Sequence, residues 1–219
     1  MAPREKQAQP RPAPRLYLVT PPVEDAKAFA VLLADALSAG DVAAVLLRLA
    51  DADERTLINR AKSLCHAVQT TGAALLLDGR ADLAARAGAD GAHMTGIEHF
   101  NAALETLKPE RIAGCGGLAS RHDAMTAAEA GADYVMFGEP AAGRGRPAFG
   151  QIEERVSWWA EVFELSCVGY AASLDEAAAL VAAGADFVAL GDFLWREPQR
   201  VAAQVAAAAQ RLRLPETAA

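Results

Sequence analysis

The sequence predicts a single α/β domain folded as a (β/α)8 TIM barrel, and three observations support this prediction. From Leu16 onward, short apolar runs alternate with longer, alanine-rich amphipathic segments, which is typical of strand-helix units around a parallel sheet. Eight such apolar runs occur, the strand number of this barrel. The phrase Gly-Ala-Asp also recurs, at Gly88, Gly131 and Gly184, each time just before an apolar run. An open doubly wound sheet is the competing arrangement.

The predicted strands are short and rich in β-branched, aromatic and other apolar residues. The segments between them read as helices, and several end in glycine, the residue that most easily adopts the left-handed turn that closes a helix. In chain order the strands are LYLVT from Leu16, AAVLLR from Ala43, ALLLD from Ala74, GAHM from Gly91, IAGCG from Ile112, YVMFG from Tyr134, SCVGY from Ser166 and FVALG from Phe187.

The repeated Gly-Ala-Asp phrase helps to distinguish residues with a structural role from candidate functional residues. Its glycine turns the chain after a helix, and we expect its aspartate, at Asp90, Asp133 and Asp186, to hold turns together at the bottom of the barrel. Active sites in this architecture lie at the opposite, C-terminal ends of the strands. Candidate functional residues are therefore sought where the strands end.

The composition is that of a folded globular domain, with 53% apolar and 22% charged residues. The proline-rich and charged opening predicts a flexible tail over residues 1–15, followed by a barrel over 16–213 and a short tail over 214–219. The chain has no apolar run of membrane-spanning length and no signal-peptide pattern, so a cytoplasmic location is expected.

Charge and cysteine content exclude some classes of function. A formal net charge of -7 argues against general nucleic-acid binding, and an anionic ligand would need a local cluster of arginines. The three cysteines, Cys65, Cys115 and Cys167, are odd in number and widely spaced, so we expect buried small hydrophobes and no disulfide framework.

Three segments resemble the thiamine phosphate synthase family, including its thiazole tautomerase branch. They are LYLVT from Leu16, LLLDGRADLAARAGADGAHMTG from Leu75 and GADYVMFGEPAAGRGRPAFG from Gly131, and the resemblance extends to about Pro198. It implies a barrel that joins an aminopyrimidine diphosphate to a thiazole phosphate and releases pyrophosphate with the help of Mg²⁺. Such chemistry needs cations for the leaving diphosphate, a carboxylate-held metal and a phosphate-binding loop.

The cations that the resemblance implies are partly present. Arg48 in VLLRLA matches the family's arginine after the second strand, whereas Leu46 and Ala50 replace its glutamine and lysine. In AAGRGRP, Arg146 stands where the family's mobile loop ends in lysine, with Arg144 beside it. Arginine binds phosphate with two parallel hydrogen bonds, so this replacement is chemically tolerable. The resemblance implies a catalytic role for Arg48 and Arg146 and a substrate-binding role for Arg144.

The implied metal site is rearranged. The family's Asn-Asp-Arg becomes Asp78-Gly79-Arg80, which moves the carboxylate by one position, and Glu98 takes the place of a second acidic ligand. Mg²⁺ commonly uses one or two carboxylates together with substrate oxygens. The resemblance therefore implies Asp78 and Glu98 as ligands of Mg²⁺ and a catalytic role for Arg80.

The remaining candidates bind substrate. His93 matches a histidine of the family, although a histidine in an apolar strand is more often packed and hydrogen-bonded than an acid or base. Gly169 and Gly191 fall where the loops after the last two strands bind phosphate. The turn 170–172 lacks the family's paired glycines, and Asp192 replaces a small hydroxyl residue, so its charge would oppose a phosphate.

Two functions therefore follow from the sequence. The first is a thiamine phosphate synthase acting on phosphorylated pyrimidine and thiazole substrates. The second is a catalytically degenerate family member whose altered barrel mouth binds a small ligand or a partner protein. The losses at Leu46, Ala50 and Gly79 favour the second. A barrel enzyme with another substrate and a homo-oligomeric assembly also remain open.

Overall fold

The protein folds as a closed barrel of eight parallel strands in sequence order. The computed structural model describes residues 12–140 and 145–213. Each strand pairs in parallel with the next, and β8 pairs with β1, so the open-sheet alternative is wrong. Every predicted strand is confirmed to within one residue at each end. The strands are β1 Arg15–Val19, β2 Val42–Leu47, β3 Ala74–Asp78, β4 Gly91–Thr95, β5 Ile112–Gly116, β6 Tyr134–Phe137, β7 Cys167–Ala171 and β8 Phe187–Leu190.

A helix follows each strand and covers the outside of the sheet. Across residues 12–140 and 145–213, no helix combines the length and the apolar character needed to cross a membrane. All three cysteine side chains are buried, as the sequence predicts. The helices are α1 Ala26–Ser38, α2 Glu54–Gln69, α3 Ala81–Ala87, α4 Ile97–Leu107, α5 Arg121–Ala130, α6 Phe149–Val162, α7 Leu174–Ala182 and α8 Val201–Leu212.

The ends of the barrel lie close to the predicted domain limits. Strand β1 begins at Arg15, one residue before the predicted start, and the Arg15 guanidinium binds the carboxylate of Asp41 at 2.7 Å. At the other end α8 stops at Leu212. The predicted tails fall mostly on residues 1–11 and 214–219, which lie outside the described part of the chain.

Alternate residues of each strand point into the barrel, where a small cluster fills the interior. Its members include Tyr17, Leu46, Tyr134, Met136 and Tyr170, and all are buried. A larger apolar cluster lies between the sheet and the helices. Leu46, which stands in place of the family's glutamine, is thus 3% exposed and packs inside the barrel. Its apolar character has a packing role.

The three repeated aspartates are structural, as predicted. Asp90, Asp133 and Asp186 each lie just before an even-numbered strand and accept a hydrogen bond from the backbone N–H near the start of the preceding strand, at 2.7, 2.7 and 2.8 Å. The glycine two positions earlier has positive φ in every copy, between 75° and 104°. The repeat therefore links neighbouring strands by hydrogen bonds at the bottom of the barrel.

Replacing one of these aspartates should weaken the fold without touching the mouth. Asp186→Ala leaves the N–H of Cys167 without its carboxylate acceptor, so we expect the free energy of unfolding to fall by about 1–3 kcal/mol. Asp186→Asn keeps an acceptor oxygen and should lose less. Denaturant unfolding of the two variants and the parent measures the difference; equal stability of all three would contradict the structural role.

Candidate active site

The C-terminal ends of the strands surround two small cavities. The inner cavity, of about 30 Å³, is lined by Arg48, Asp78, His93, Met136, Glu139 and Tyr170, among others. The outer cavity, of about 260 Å³, is lined by residues that include Met136, Glu139, Arg146 and Arg155. The two cavities share Met136 and Glu139. The barrel mouth therefore combines guanidinium groups, carboxylates and a histidine at the end of the barrel where active sites of this architecture lie.

A chain of buried polar side chains runs through the otherwise apolar barrel. The hydroxyls of Tyr17 and Tyr134 lie 2.9 Å apart, and the Tyr134 hydroxyl is 2.9 Å from Nδ1 of His93. The other ring nitrogen of His93 is 3.3 Å from Oε1 of Glu139. Burial raises the pKa of both tyrosines, so their hydroxyls stay neutral. A series of hydrogen bonds of this kind fixes the positions of its members.

His93 is packed and hydrogen-bonded, as expected of a histidine in an apolar strand. It is 1% exposed, and both ring nitrogens have partners. Burial alone would lower the pKa of His93, but the charge and the hydrogen bond of Glu139 outweigh burial, with a further contribution from Asp78, and raise it above 6.5. The contact with Glu139 therefore favours the protonated form of the buried imidazole.

Glu139 is a site residue that the sequence reasoning missed. It follows β6 in the segment FGEP and is 8% exposed. Gly116, at the end of β5, makes room for it, because a Cβ at that position would collide with the Glu139 carboxylate. The sequence does carry a signal for Glu139, because it is a carboxylate at the C-terminal end of a barrel strand. It lies in the segment after the second Gly-Ala-Asp copy, where the three copies differ from one another.

Arg48 joins two carboxylates across the mouth. Its guanidinium Nε lies 3.5 Å from Oδ2 of Asp78, and its NH1 donates to Oδ1 of Asp192 at 3.0 Å. Burial raises the pKa of Asp78, the charge of Glu139 adds to this, and His93 and Arg48 oppose it. The negative charge of Asp192, expected to oppose a phosphate, is thus paired with Arg48.

Arg146 lies at the mouth, but most of its donors are in use. It makes two hydrogen bonds with the carboxylate of Glu176, at 3.1 and 2.6 Å, and two more with the carbonyl oxygens of Gly138 and Tyr170. Glu176 also accepts from the backbone N–H of Ala172 at 2.7 Å. One carboxylate therefore holds both the loop arginine and an amide of the turn after β7.

The predicted phosphate-binding glycines differ in their surroundings. Gly191 faces the interior, where the ring of Tyr170 packs so closely that a Cβ would collide with it. The Tyr170 hydroxyl accepts a weak hydrogen bond from the backbone N–H of Asp192 at 3.4 Å. Gly169 lies within β7 and faces Leu180 of α7, because alternate residues of a strand point to opposite sides. Gly169 therefore has a packing contact.

Three other candidates are absent from the lining of the two cavities as far as the structure describes them. Arg80 donates twice to the carboxylate of Asp82, at 2.9 and 2.8 Å, and this pairing raises its pKa. Glu98 is exposed in the first turn of α4. Arg144 falls on residues 141–144, outside the described part of the chain. Their functional roles stay predictions.

The carboxylates at the mouth show which residues could hold a metal ion. Within residues 12–140 and 145–213, no group of three or more histidine, cysteine, aspartate or glutamate side chains is arranged to hold a metal. Asp78 nevertheless directs a carboxylate to the inner cavity. Mg²⁺ usually keeps several waters and needs only one or two carboxylates besides phosphate oxygens. Asp78 could therefore contribute one carboxylate to a Mg²⁺ ion whose other ligands are waters and phosphate oxygens.

The contact between His93 and Glu139 predicts a specific pH dependence. A raised histidine pKa means that the folded protein holds the proton more tightly than the unfolded chain, so the stabilisation by His93 is complete below about pH 6.5 and is lost as pH rises through the folded pKa. Glu139→Gln removes the main cause of the increase, and burial should then lower the pKa. NMR titration of the ring in both proteins measures the shift.

The matched control for this titration is Glu161→Gln, the same change at an exposed position of α6. It should leave the pKa of His93 where it is. A His93 pKa that is equally high in Glu139→Gln would contradict the pairing.

Comparison with known proteins identifies the family. A family model described as thiamine monophosphate synthase matches residues 16–194. A thiamine-phosphate synthase of Rhodospirillum centenum is 43% identical over 197 residues, 88% of this chain and 94% of the relative. One from Hyphomonas neptunium is 38% identical over 209 residues, 91% and 94% of the two chains.

A solved structure has the same fold. The thiamine phosphate pyrophosphorylase of Pyrococcus furiosus superposes with a TM-score of 0.74 at 22% identity and covers 90% of this chain and 95% of its own. The family match spans almost the whole barrel, and the relatives match over nearly their full lengths. The chain therefore belongs to the thiamine monophosphate synthase family.

Proposed function

We propose that this protein is a thiamine-phosphate synthase that joins an aminopyrimidine diphosphate to a thiazole phosphate and releases pyrophosphate. The observation that carries the proposal is the 43% identity to a relative of that name over 88% of this chain. The mouth supports it, because Arg48, Asp78 and Arg146 line its two cavities. The barrel over residues 16–213 would be the catalytic domain.

The diphosphate would bind at the outer cavity. Arg146 lines this cavity, and its planar guanidinium suits a bidentate contact with phosphate oxygens. Because Glu176 already occupies Arg146, the diphosphate would take the place of that carboxylate. Arg48 would contribute from the inner cavity, with Arg80 and Arg144 as further cations of the site. These groups would neutralise the charge that develops on the leaving pyrophosphate.

Asp78 and Glu98 are the carboxylates that would hold Mg²⁺. The ion would supply Lewis-acid stabilisation of the leaving group. The thiazole phosphate would approach Gly191 and the N-terminus of the short 3-10 helix Asp192–Trp195. Gly169 would contribute indirectly, through the packing of β7 against α7. His93 would act on substrate only through Glu139, because both of its nitrogens are already bonded.

Turnover is the direct test of the proposal. Purified protein with Mg²⁺ and both substrates should form thiamine phosphate, and Arg146→Ala should lower kcat by about 100-fold or more, because a donor to the leaving group is lost. The control is Arg55→Ala, which removes one exposed cation of α2 and should leave kcat unchanged. If no product forms while an active family member works in parallel, the synthase proposal fails and the ligand-binding alternative stands.

Pyrophosphate should stabilise the fold in a manner that depends on Mg²⁺. At about 100 times its Kd, a ligand that binds only the folded state adds about 2.7 kcal/mol to the free energy of unfolding. We expect Asp78→Asn to abolish the part of the thermal shift that depends on Mg²⁺, and Asp35→Asn, an exposed control on α1, to retain it. If the Mg²⁺-dependent thermal shift of Asp78→Asn is as large as that of the parent, Asp78 is not a ligand of the metal.

A further inference from the structure

The side chain of Glu139 has an unsatisfied oxygen at the centre of the mouth. Both of its carboxylate oxygens lie within 3.3 Å of Nε2 of His93, but only Oε1 is aligned for a hydrogen bond. Oε2 is buried and has no hydrogen-bond partner among the described residues. A buried acceptor without a donor is costly, so native structures rarely contain one unless a ligand or ion completes it.

Glu139 also occupies the place where a ligand would meet it. It lines the inner cavity together with Asp78 and Tyr170, and the outer cavity together with Arg146. A molecule entering past the arginine would therefore contact Glu139 at the boundary between the two cavities. The site suits a ligand with an anionic group at one end and a hydrogen-bond donor, neutral or cationic, at the other.

Stability alone gives little reason to keep this carboxylate buried. A buried ion pair seldom stabilises a fold more than apolar residues of similar volume would. The barrel nevertheless has a glycine at position 116 to make room for Glu139, and His93 fixes its orientation through the chain that ends at Tyr17. The arrangement holds a charge in place and leaves one of its oxygens available.

We propose that Glu139 binds the aminopyrimidine of the first substrate, with Oε2 accepting the amino N–H, and stabilises the positive charge that forms on the ring during the reaction. This inference rests on the proposed function and adds a residue to its site. His93 is the positioning residue behind Glu139.

The step balances in electrons and charge. The bond between the pyrimidine methylene carbon and the diphosphate oxygen breaks, and its electron pair leaves with pyrophosphate. The methylene cation that remains is conjugated with the ring and its amino group, so the amino N–H becomes a stronger donor as the charge grows. The lone pair of the thiazole nitrogen then forms the new C–N bond. A hydrogen bond that strengthens on the way to the transition state raises kcat, and the water-poor site increases its effect.

The test uses Glu139→Gln, which keeps the volume of the side chain and a hydrogen bond to His93 but removes the charge. We expect kcat to fall by about 100-fold or more, while the Mg²⁺ concentration for half-maximal activity stays unchanged. Calorimetry with the unphosphorylated aminopyrimidine alcohol should show at least tenfold weaker binding. Glu161→Gln, the same change on an exposed face of α6, should match the parent in each measurement.

Each other outcome decides the question. A kcat within threefold of the parent overturns the proposal, and so does a loss that higher Mg²⁺ restores, since that would make Glu139 a metal ligand. If the parent protein shows no turnover, the proposed function fails, and calorimetry with the aminopyrimidine alcohol then tests Glu139 by itself. Binding of the alcohol that is weaker in Glu139→Gln than in the parent supports the role of Glu139. If the parent does not bind the alcohol, that role is overturned. Thermal unfolding checks that Glu139→Gln is folded. If Glu139→Gln does not fold, Glu139→Asp, which withdraws the carboxylate by one methylene, is tested in its place with the same expected results.

Discussion

The closure of the sheet between β1 and β8 is the constraint on which the rest of this structure depends. Closure makes alternate residues of every strand point into one narrow interior, and it brings eight strand ends around one mouth. Arg48 after β2, Asp78 at the end of β3 and Asp192 after β8 are far apart in the chain, yet they form one charged cluster. No local segment could assemble that cluster alone.

The interior also explains how His93 and Glu139 can be buried inside an apolar barrel. Tyr17, Tyr134, His93 and Glu139 form a continuous series of hydrogen bonds, so each buried polar group except one carboxylate oxygen has a partner. The cost of burying these groups is offset by bonds that are stronger in a low-dielectric interior. The result is a carboxylate held rigidly at the centre of the mouth.

The mouth in this structure is largely neutralised by its own side chains. Arg48 is paired with Asp78 and Asp192, and Arg146 is paired with Glu176. In a chain with a formal net charge of -7, unpaired carboxylates at the mouth would repel an anionic substrate, whereas paired ones can exchange partners with it. Binding of a diphosphate would then be an exchange of ion pairs within the site.

The sequence by itself determined the architecture, because helix and strand periodicity and the recurring Gly-Ala-Asp turns are local signals. It gave all eight strands to within one residue, the structural role of Asp90, Asp133 and Asp186, and the packed state of His93. The family resemblance pointed to Arg48 and Asp78 as separate candidates, and the structure shows that their side chains are 3.5 Å apart.

Only the tertiary structure decided which side chains meet. Glu139 joined the site because Gly116 on another strand leaves room for it, and Arg146 was paired because Glu176 of the neighbouring strand-helix unit lies beside it. Gly169 faces a helix because the strand places it on the outer side. Such contacts join residues distant in the chain, and their geometry depends on the closed barrel, which no short stretch of sequence encodes.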